Sequence, residues 1–351
     1  MELLELVIAL AVILIAAELF TNGIEWFGHK LNLAEGVVGS VLAAVGTALP
    51  ETMIPLVAIL FAGSQSDAAH EIGVGAILGA PFMLSTLAMF VTGVGVIGYA
   101  RRRSTGQEMK VDTRVLGLDI RYFFVAYAIA VGAAFVPADL SFLRYGAVIV
   151  LIAIYAWYVK SHFESDVTVD ATDLNPLRFH RIDRAAFRDD PTTPRLRVIN
   201  IQVLVALALI IGGAKVFVDA IGTISTEAGL DPALLALIIA PIATELPEKF
   251  NSLIWVRQNK DTLAMGNITG AMVFQSVIPT SIGILLAASA WTISQETLLS
   301  FASAGIAFAS TAFIFVPMVR RGSLTGRHLL IGGLFYLVYL VLVISHLAGM
   351  W

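Results

Sequence analysis

The chain has no cysteine among its 351 residues. That excludes disulfides, thiolate metal sites and thiol nucleophiles. Charge is scarce as well: only 14% of residues are Asp, Glu, Lys or Arg, against about a quarter in an ordinary soluble domain. There is no H-E-x-x-H pair, so the helical zinc-hydrolase arrangement is missing. The N-terminus has neither a basic leader nor a small-residue cleavage site, and Leu3 to Phe20 reads as a first membrane span rather than a removed signal. Nothing in a net charge of −4 calls for nucleic acid as a partner.

What remains is apolar. Hydrophobic residues make up 58% of the chain, and the mean hydropathy is +0.85. With roughly 20 apolar residues per span, this composition predicts an all-α polytopic membrane protein whose main partner is the lipid bilayer. Ten apolar segments can be drawn, near 3–26, 35–61, 71–99, 121–136, 140–160, 198–221, 231–256, 262–288, 296–318 and 327–349. Of the 22 Lys and Arg, 19 fall in the loops after odd-numbered spans or at their edges. Arg144 stands on the opposite side, and Lys215 and Lys249 lie within spans. Positive loops face the cytoplasm, so both termini are expected outside, in the plasma or inner membrane of the cell.

One long polar segment, Ser161 to Arg197, contains Pro176, Pro191 and Pro194. It divides the chain into residues 1–160, the linker 161–197, and residues 198–351. Each half holds five expected spans. Five is odd, so the second half enters from the opposite side, as in an inverted repeat.

The repeat is visible in the residues. Gly46-Thr47-Ala48-Leu49-Pro50-Glu51 is matched by Ala243-Thr244-Glu245-Leu246-Pro247-Glu248 at an offset of 197. The same offset pairs Phe20 with Phe217 and Glu18 with Lys215. A second pair, Gly75–Gly79 and Gly266–Gly270, follows at an offset of 191. Both are G-x-x-x-G, which lets helix backbones approach closely.

Each L-P-E motif puts a glutamate in membrane-grade sequence. A carboxylate there costs ~2.5–3.5 kcal/mol on insertion scales, which makes it a functional-site hypothesis. The proline removes a backbone donor and is expected to interrupt the helix, freeing carbonyls. Glu51, Glu248, those carbonyls and the hydroxyls of Thr47 and Thr244 make an all-oxygen set, suited to hard cations such as Ca²⁺, Mn²⁺ or Na⁺. Glu245 adds a third acid one turn before Glu248. Asn267, an amide in an apolar span, is a further ligand candidate. Lys249 and Gln275 are candidates for coupling; Lys249 reads as a built-in ammonium beside the acids rather than a snorkelling lysine. Lys215 and Asp219, spaced i,i+4, read as an internal ion pair. The six histidines read as solvated residues of loops and span ends. Trp26, Trp157, Trp291 and Trp351 read as interfacial anchors.

Ten spans, two inverted halves, G-T-x-L-P-E and x-T-x-L-P-E, each followed by G-x-x-x-G, resemble the sodium/calcium exchanger membrane family of cation:calcium antiporters. The resemblance covers nearly all the membrane part, with its core at 35–90 and 231–286. It implies a secondary antiporter, not an enzyme, that needs no cofactor. Inorganic cations are its partners: a divalent ion, Ca²⁺ by resemblance, exchanges for Na⁺ or H⁺. It also implies that Glu51 and Glu248 are central calcium ligands, with Thr47, Thr244 and Asn267 contributing. Four departures stand out. The family commonly has asparagine at the place of Ala76, Ser-Asn at Ala80-Pro81, and a small hydroxyl residue at Ala48 and Glu245. In the family these positions shape the sodium sites, so the departures point to weaker sodium coupling and to a proton role for Glu245 and Lys249. The alternatives are a Mn²⁺ or other divalent ion/proton antiporter, an intramembrane hydrolase with the glutamates as acid and base, and a passive channel.

Overall fold

A computed structural model describes residues 2–31, 44–61, 66–137, 140–163, 174–182, 194–228, 246–295 and 297–347. The helices are α1 (Glu2–Lys30), α2 (Ala44–Phe61), α3 (Ser66–Met83), α4 (Met89–Tyr99), α5 (Thr113–Gly132), α6 (Phe142–Phe163), α7 (Leu196–Ala228), α8 (Leu246–Arg257), α9 (Asp261–Leu286), α10 (Leu298–Arg321), α11 (Gly326–Leu329) and α12 (Ile331–Leu347). A π-helical turn, Leu84–Ala88, joins α3 to α4. Pro81 lies just before it. A proline withholds one ladder hydrogen bond, and a local π-turn is one way a helix absorbs that disturbance. Among the described residues, strand pairing is confined to β1 (Glu108–Met109) and β2 (Leu324–Thr325), an antiparallel ribbon with Glu108 opposite Thr325.

This is an all-α polytopic membrane protein. Among the described residues, eight helical stretches are long and apolar enough to cross a bilayer. They correspond to every expected span except the second and seventh. Those two are represented by α2 and α8, and the rest of each lies outside the described residues. The fourth span differs from expectation. It starts at Thr113, eight residues earlier, because Asp112 caps it by accepting from the backbone N–H of Arg114 and Val115. Arg114 and Arg121 therefore sit on α5 rather than in the loop before it.

Burial separates the spans. The stretches Gly73–Tyr99 and Asp261–Leu286 are each 83% buried, whereas α1 and α7 reach 33% and α6 22%. The first two form the centre, and the others present much of their surface to lipid. Phe82, Phe123, Tyr127, Met272, Phe274 and Phe315 belong to one continuous core around that centre. α1 and α7 pack along each other outside it. A Cβ added at Gly23 would lie 2.8 Å from Val203, and one at Gly213 2.8 Å from Ile13. Ile13 meets Gly213 and Gly23 meets Val203, so the two helices run antiparallel. In lipid such pairs hold by close van der Waals packing, which small residues permit.

Two polar ties fix the ends. The Arg103 guanidinium forms a buried two-pronged bond to Asp261, at 2.7 and 2.8 Å, and fastens the loop after α4 to the first residue of α9. On α1 and α7, part of the polar linker docks. Trp26 donates to the Asn175 carbonyl at 2.8 Å, and Gln202 accepts from Phe179 N–H and donates to the Leu19 carbonyl. Glu18, which the repeat offset pairs with Lys215, makes an ion pair with Arg178 of this linker. Lys215 and Asp219 pair at 3.8 Å as expected, on an exposed face. Trp291 is not an interfacial anchor: it is fully buried and donates to the Ala130 carbonyl at 3.0 Å. Arg144 is buried too, and its guanidinium donates to the Val136 and Ala288 carbonyls.

Candidate cation site

α2 carries the first L-P-E motif and differs from expectation. The helix is not broken at Pro50; it is continuous from Ala44 to Phe61. Pro50 and Pro55 each withhold a donor from this helix, and a packed membrane helix tolerates such losses. The chemistry of the missing N–H persists, however: the Gly46 carbonyl lacks the donor four residues ahead that a helix normally supplies. One turn of helix then gathers polar groups. The Ala48 carbonyl accepts from the Thr52 hydroxyl at 2.9 Å and from the Gln275 amide at 3.2 Å. Glu51, three residues beyond Ala48, is buried.

α8 carries the second motif. Its described part runs from Leu246, so Pro247 and Glu248 lie on this helix, one turn before Ser252. Lys249 follows, and it is buried, at variance with a snorkelling side chain. Thr47 lies on α2, one turn before Glu51. Thr244 and Glu245 fall outside the described residues.

α9 supplies the amides. Asn267 is fully buried and Gln275 nearly so. The eight-residue spacing keeps both on one stripe of the helix. Gln275 reaches across to α2, and Ser252 of α8 donates to the Ala264 carbonyl of α9 at 3.1 Å. α2, α8 and α9 thus pack on one another, with Gln275 of α9 bonded to the turn of α2 that leads into the buried Glu51. The donors there are carboxylate, amide and carbonyl oxygens, the set that hard cations take. Among the described residues, no group of three His, Cys, Asp or Glu side chains is gathered to hold a metal ion.

A second buried polar group escaped the sequence reading. Asp119 of α5 is fully buried and accepts from the hydroxyls of Thr269, at 2.6 Å, and Tyr158, at 3.0 Å. The His162 ring, expected in solvent, is buried with Nε2 3.3 Å from the same carboxylate. Drawing the fourth span from residue 121 left Asp119 in a loop. The Asp112 cap was the signal that would have extended the span.

A model of the family described as sodium/calcium exchanger protein matches residues 2–161 and 200–345. CaxA of Alkalimonas amylolytica, which bears the name of an antiporter, is 22% identical over 326 residues, covering 90% of this chain and 89% of CaxA. The inner membrane protein YrbG of Escherichia coli is 23% identical over 273 residues, 78% of this chain and 76% of YrbG. Among solved structures, the H⁺/Ca²⁺ exchanger CAX superposes with a TM-score of 0.75 at 15% identity, covering 98% of this chain and 82% of CAX. The sodium–calcium exchanger NCX_Mj superposes with a TM-score of 0.62 at 14% identity, covering 97% of both chains.

Proposed function

Because the chain belongs to the sodium/calcium exchanger protein family, we propose that it moves Ca²⁺ across the membrane mainly in exchange for protons, with sodium the weaker driver. It is a cation antiporter, not an enzyme. Glu51 and Glu248 are the central ligands in this reading, with oxygen from Thr47, Thr244 and Asn267. Glu245 and Lys249 carry the proton coupling. Gln275 positions α2 against α9.

The observation that carries the reading is the bond from the Gln275 amide to the Ala48 carbonyl, beside the buried Glu51. It joins the helix of the first L-P-E motif to the helix of Asn267. The weak sodium dependence rests on Ala76, which is buried and has no oxygen to offer. Glu245 supports proton coupling because like charges and desolvation make one of several neighbouring acids hold its proton.

The test is ⁴⁵Ca²⁺ uptake into proteoliposomes under an imposed H⁺ gradient and, separately, an imposed Na⁺ gradient. Uptake is expected to follow the proton gradient, to be inhibited by Mn²⁺ only in excess, and to lose pH dependence in Glu245→Ser. Strong sodium-driven uptake that is insensitive to pH and to Glu245→Ser would reverse the choice of counter-ion.

The halves 1–160 and 198–351 are read as inverted repeats, in support of which α1 and α7 pack antiparallel and the family match leaves out 162–199. Both termini are placed outside the cell membrane. A cysteine introduced at Ser165 should resist an impermeant label in intact cells; labelling there would invert the topology.

A further inference from the structure

α4 and α8 touch at one level and part at the next. A Cβ added at Gly95 would lie 2.3 Å from the Leu253 side chain, whereas nothing stands within 4 Å of one added at Gly98, one turn on. Between the two helices this leaves a groove of about 400 Å³, whose lining includes Phe90, Val94, Gly95, Gly98, Tyr99 and Leu253. The lining is apolar apart from the Tyr99 hydroxyl. Phe90, Val94 and Gly98 are spaced i, i+4, i+8 and are all exposed, so the groove opens along one stripe of α4. That stripe belongs to the span Gly73–Tyr99. In a bilayer, such a groove accepts an acyl chain or a side chain of another membrane helix.

The charge at its end separates these two. Arg101, Arg102 and Arg103 follow α4 directly. Arg103 turns inward and donates to the Val256 carbonyl and to Asp261. Ser104 donates to the Asn259 side chain beside it. These bonds pin the turn after α4 onto the end of α8, where Arg257 stands. Arg257 lies four residues beyond Leu253 and so on the same face of α8 as the groove. Arg101, Arg102 and Arg257 are all exposed. Among the described residues, none of the three guanidinium groups has an ion pair or a hydrogen bond, and the nearby acid Asp261 is already taken by Arg103. A ligand that matches this arrangement is anionic at one end and apolar along the rest. Guanidinium groups hold phosphate through paired N–H donors, and basic pockets between spans take anionic lipid headgroups. A second copy of the chain matches less well. A twofold axis along the membrane normal would set the same three arginines of both copies against each other.

We propose that the α4–α8 groove binds an anionic phospholipid, with one acyl chain along Gly95 and Gly98 and the phosphate held by Arg101, Arg102 and Arg257. The headgroup lies on the side where the sequence concentrates its basic residues. The bound lipid touches α4 and α8 together, and α8 also carries Glu248. The inference does not depend on which cations are carried.

The test is native mass spectrometry of the purified full-length protein with equal amounts of phosphatidylglycerol and phosphatidylcholine bearing the same acyl chains. One phosphatidylglycerol should be retained at least about tenfold over phosphatidylcholine. Arg101→Gln, Arg102→Gln and Arg257→Gln should each lower that preference by about fivefold, the effect of one basic residue near a lipid surface. Arg121→Gln is the control, since Arg121 is exposed on α5, which packs on α6, α9 and α10; the preference should not change. Gly98→Leu fills the groove and should abolish retention with all three arginines in place. Val94→Trp blocks the groove from a second exposed position and should do the same. Glycerol phosphate, which has the headgroup charge and no chains, should not displace the lipid. Equal retention of the two lipids, or a preference untouched by the three arginine variants, overturns the headgroup site. Retention untouched by both Gly98→Leu and Val94→Trp overturns the groove as the place of the chain. Displacement by glycerol phosphate would make this a phosphate site rather than a lipid site. A dimer without lipid that Gly98→Leu disperses would make the groove a helix-packing surface, and would equally overturn the proposal.

Discussion

The two central spans are equally buried and chemically unlike. Gly73–Tyr99 and Asp261–Leu286 are each 83% enclosed, and the sequence aligns them at an offset of 191. Yet Asn267 and Gln275 of the second correspond to Ala76 and Leu84 of the first. All four side chains are buried. Burial depth therefore does not decide where polar atoms go; placement relative to α2 does. The Gln275 amide has the Ala48 carbonyl to meet, whereas Leu84 belongs to the apolar core with Phe82 and Met83. The first half meets the proposed site through Glu51 on α2, and the second meets it through both α8 and α9. The proline positions differ in the same way: Pro81 precedes a π-turn, while Pro279 lies in a helix that stays regular.

The largest effect should come from the acids, which the two halves share. Glu51→Gln keeps shape and removes charge. A contact to a charged group is worth ~1.5–3 kcal/mol, so Ca²⁺ flux below saturation should fall by about 10–100-fold. Glu248→Gln should fall as far if both halves ligate equally. Size-exclusion profiles should match the wild type in both. A Glu248→Gln protein that retains most of its flux would make the site a property of the first half and α9 alone. Asn267→Ala, which makes α9 resemble α3 at that place, should reduce flux by about tenfold, the loss of one neutral-donor contact to a cation.

Much of this was legible beforehand, for physical reasons that differ from case to case. Lipid forces backbone groups to bond internally, so spans appear as unbroken apolar runs, and the family motifs stand out as the places where charge interrupts them. Glu51 was singled out that way, and Gln275 as an amide within an apolar span. Asp119 was not, because its neighbours Leu118 and Ile120 continue an apolar run only if the helix is known to start at Asp112. His162 at a span end looks solvated until α5 and α9 are brought against it. Trp291 has the spacing of an interfacial residue, but it is drawn inward by the Ala130 carbonyl. These are tertiary facts with no local sequence mark. Pro50 failed in the opposite direction: its local rule predicts a break, and packing on α9 and α1 overrides it.

Exchanging the unlike residues gives the next effect. Leu84→Gln would place an amide in the apolar core, at a cost of ~1–3 kcal/mol if it finds no partner. Thermal unfolding in detergent should drop accordingly, with flux per folded molecule near normal. Gln275→Leu should cost only ~1 kcal/mol of stability, the value of one lost hydrogen bond, because Thr52 still serves the Ala48 carbonyl. Its flux should nevertheless fall by about fivefold, equivalent to ~1 kcal/mol at the site. If both exchanges altered stability alone, Gln275 would be a packing residue and the asymmetry would have no bearing on cation binding.

The smallest effects probe how tightly the two central spans meet. Gly283 of α9 lies where a Cβ would stand 2.6 Å from the Trp291 ring and 3.0 Å from Ile77 of α3. Neither neighbour can retreat freely, since both are fully buried and Trp291 is held by its bond to Ala130. Gly283→Ala should therefore wedge the spans apart and cost ~1–3 kcal/mol, as overpacking does. Gly98 of α4 is the contrast: nothing lies within 4 Å of its added Cβ. Alanine there removes backbone freedom from the unfolded chain without a clash, so Gly98→Ala should be neutral or stabilising by up to ~0.5–1 kcal/mol. Parallel thermal unfolding of the two variants reads the difference directly. Equal behaviour would mean that α3 and α9 have slack between them, and that the shared burial of the two central spans does not reflect tight mutual packing.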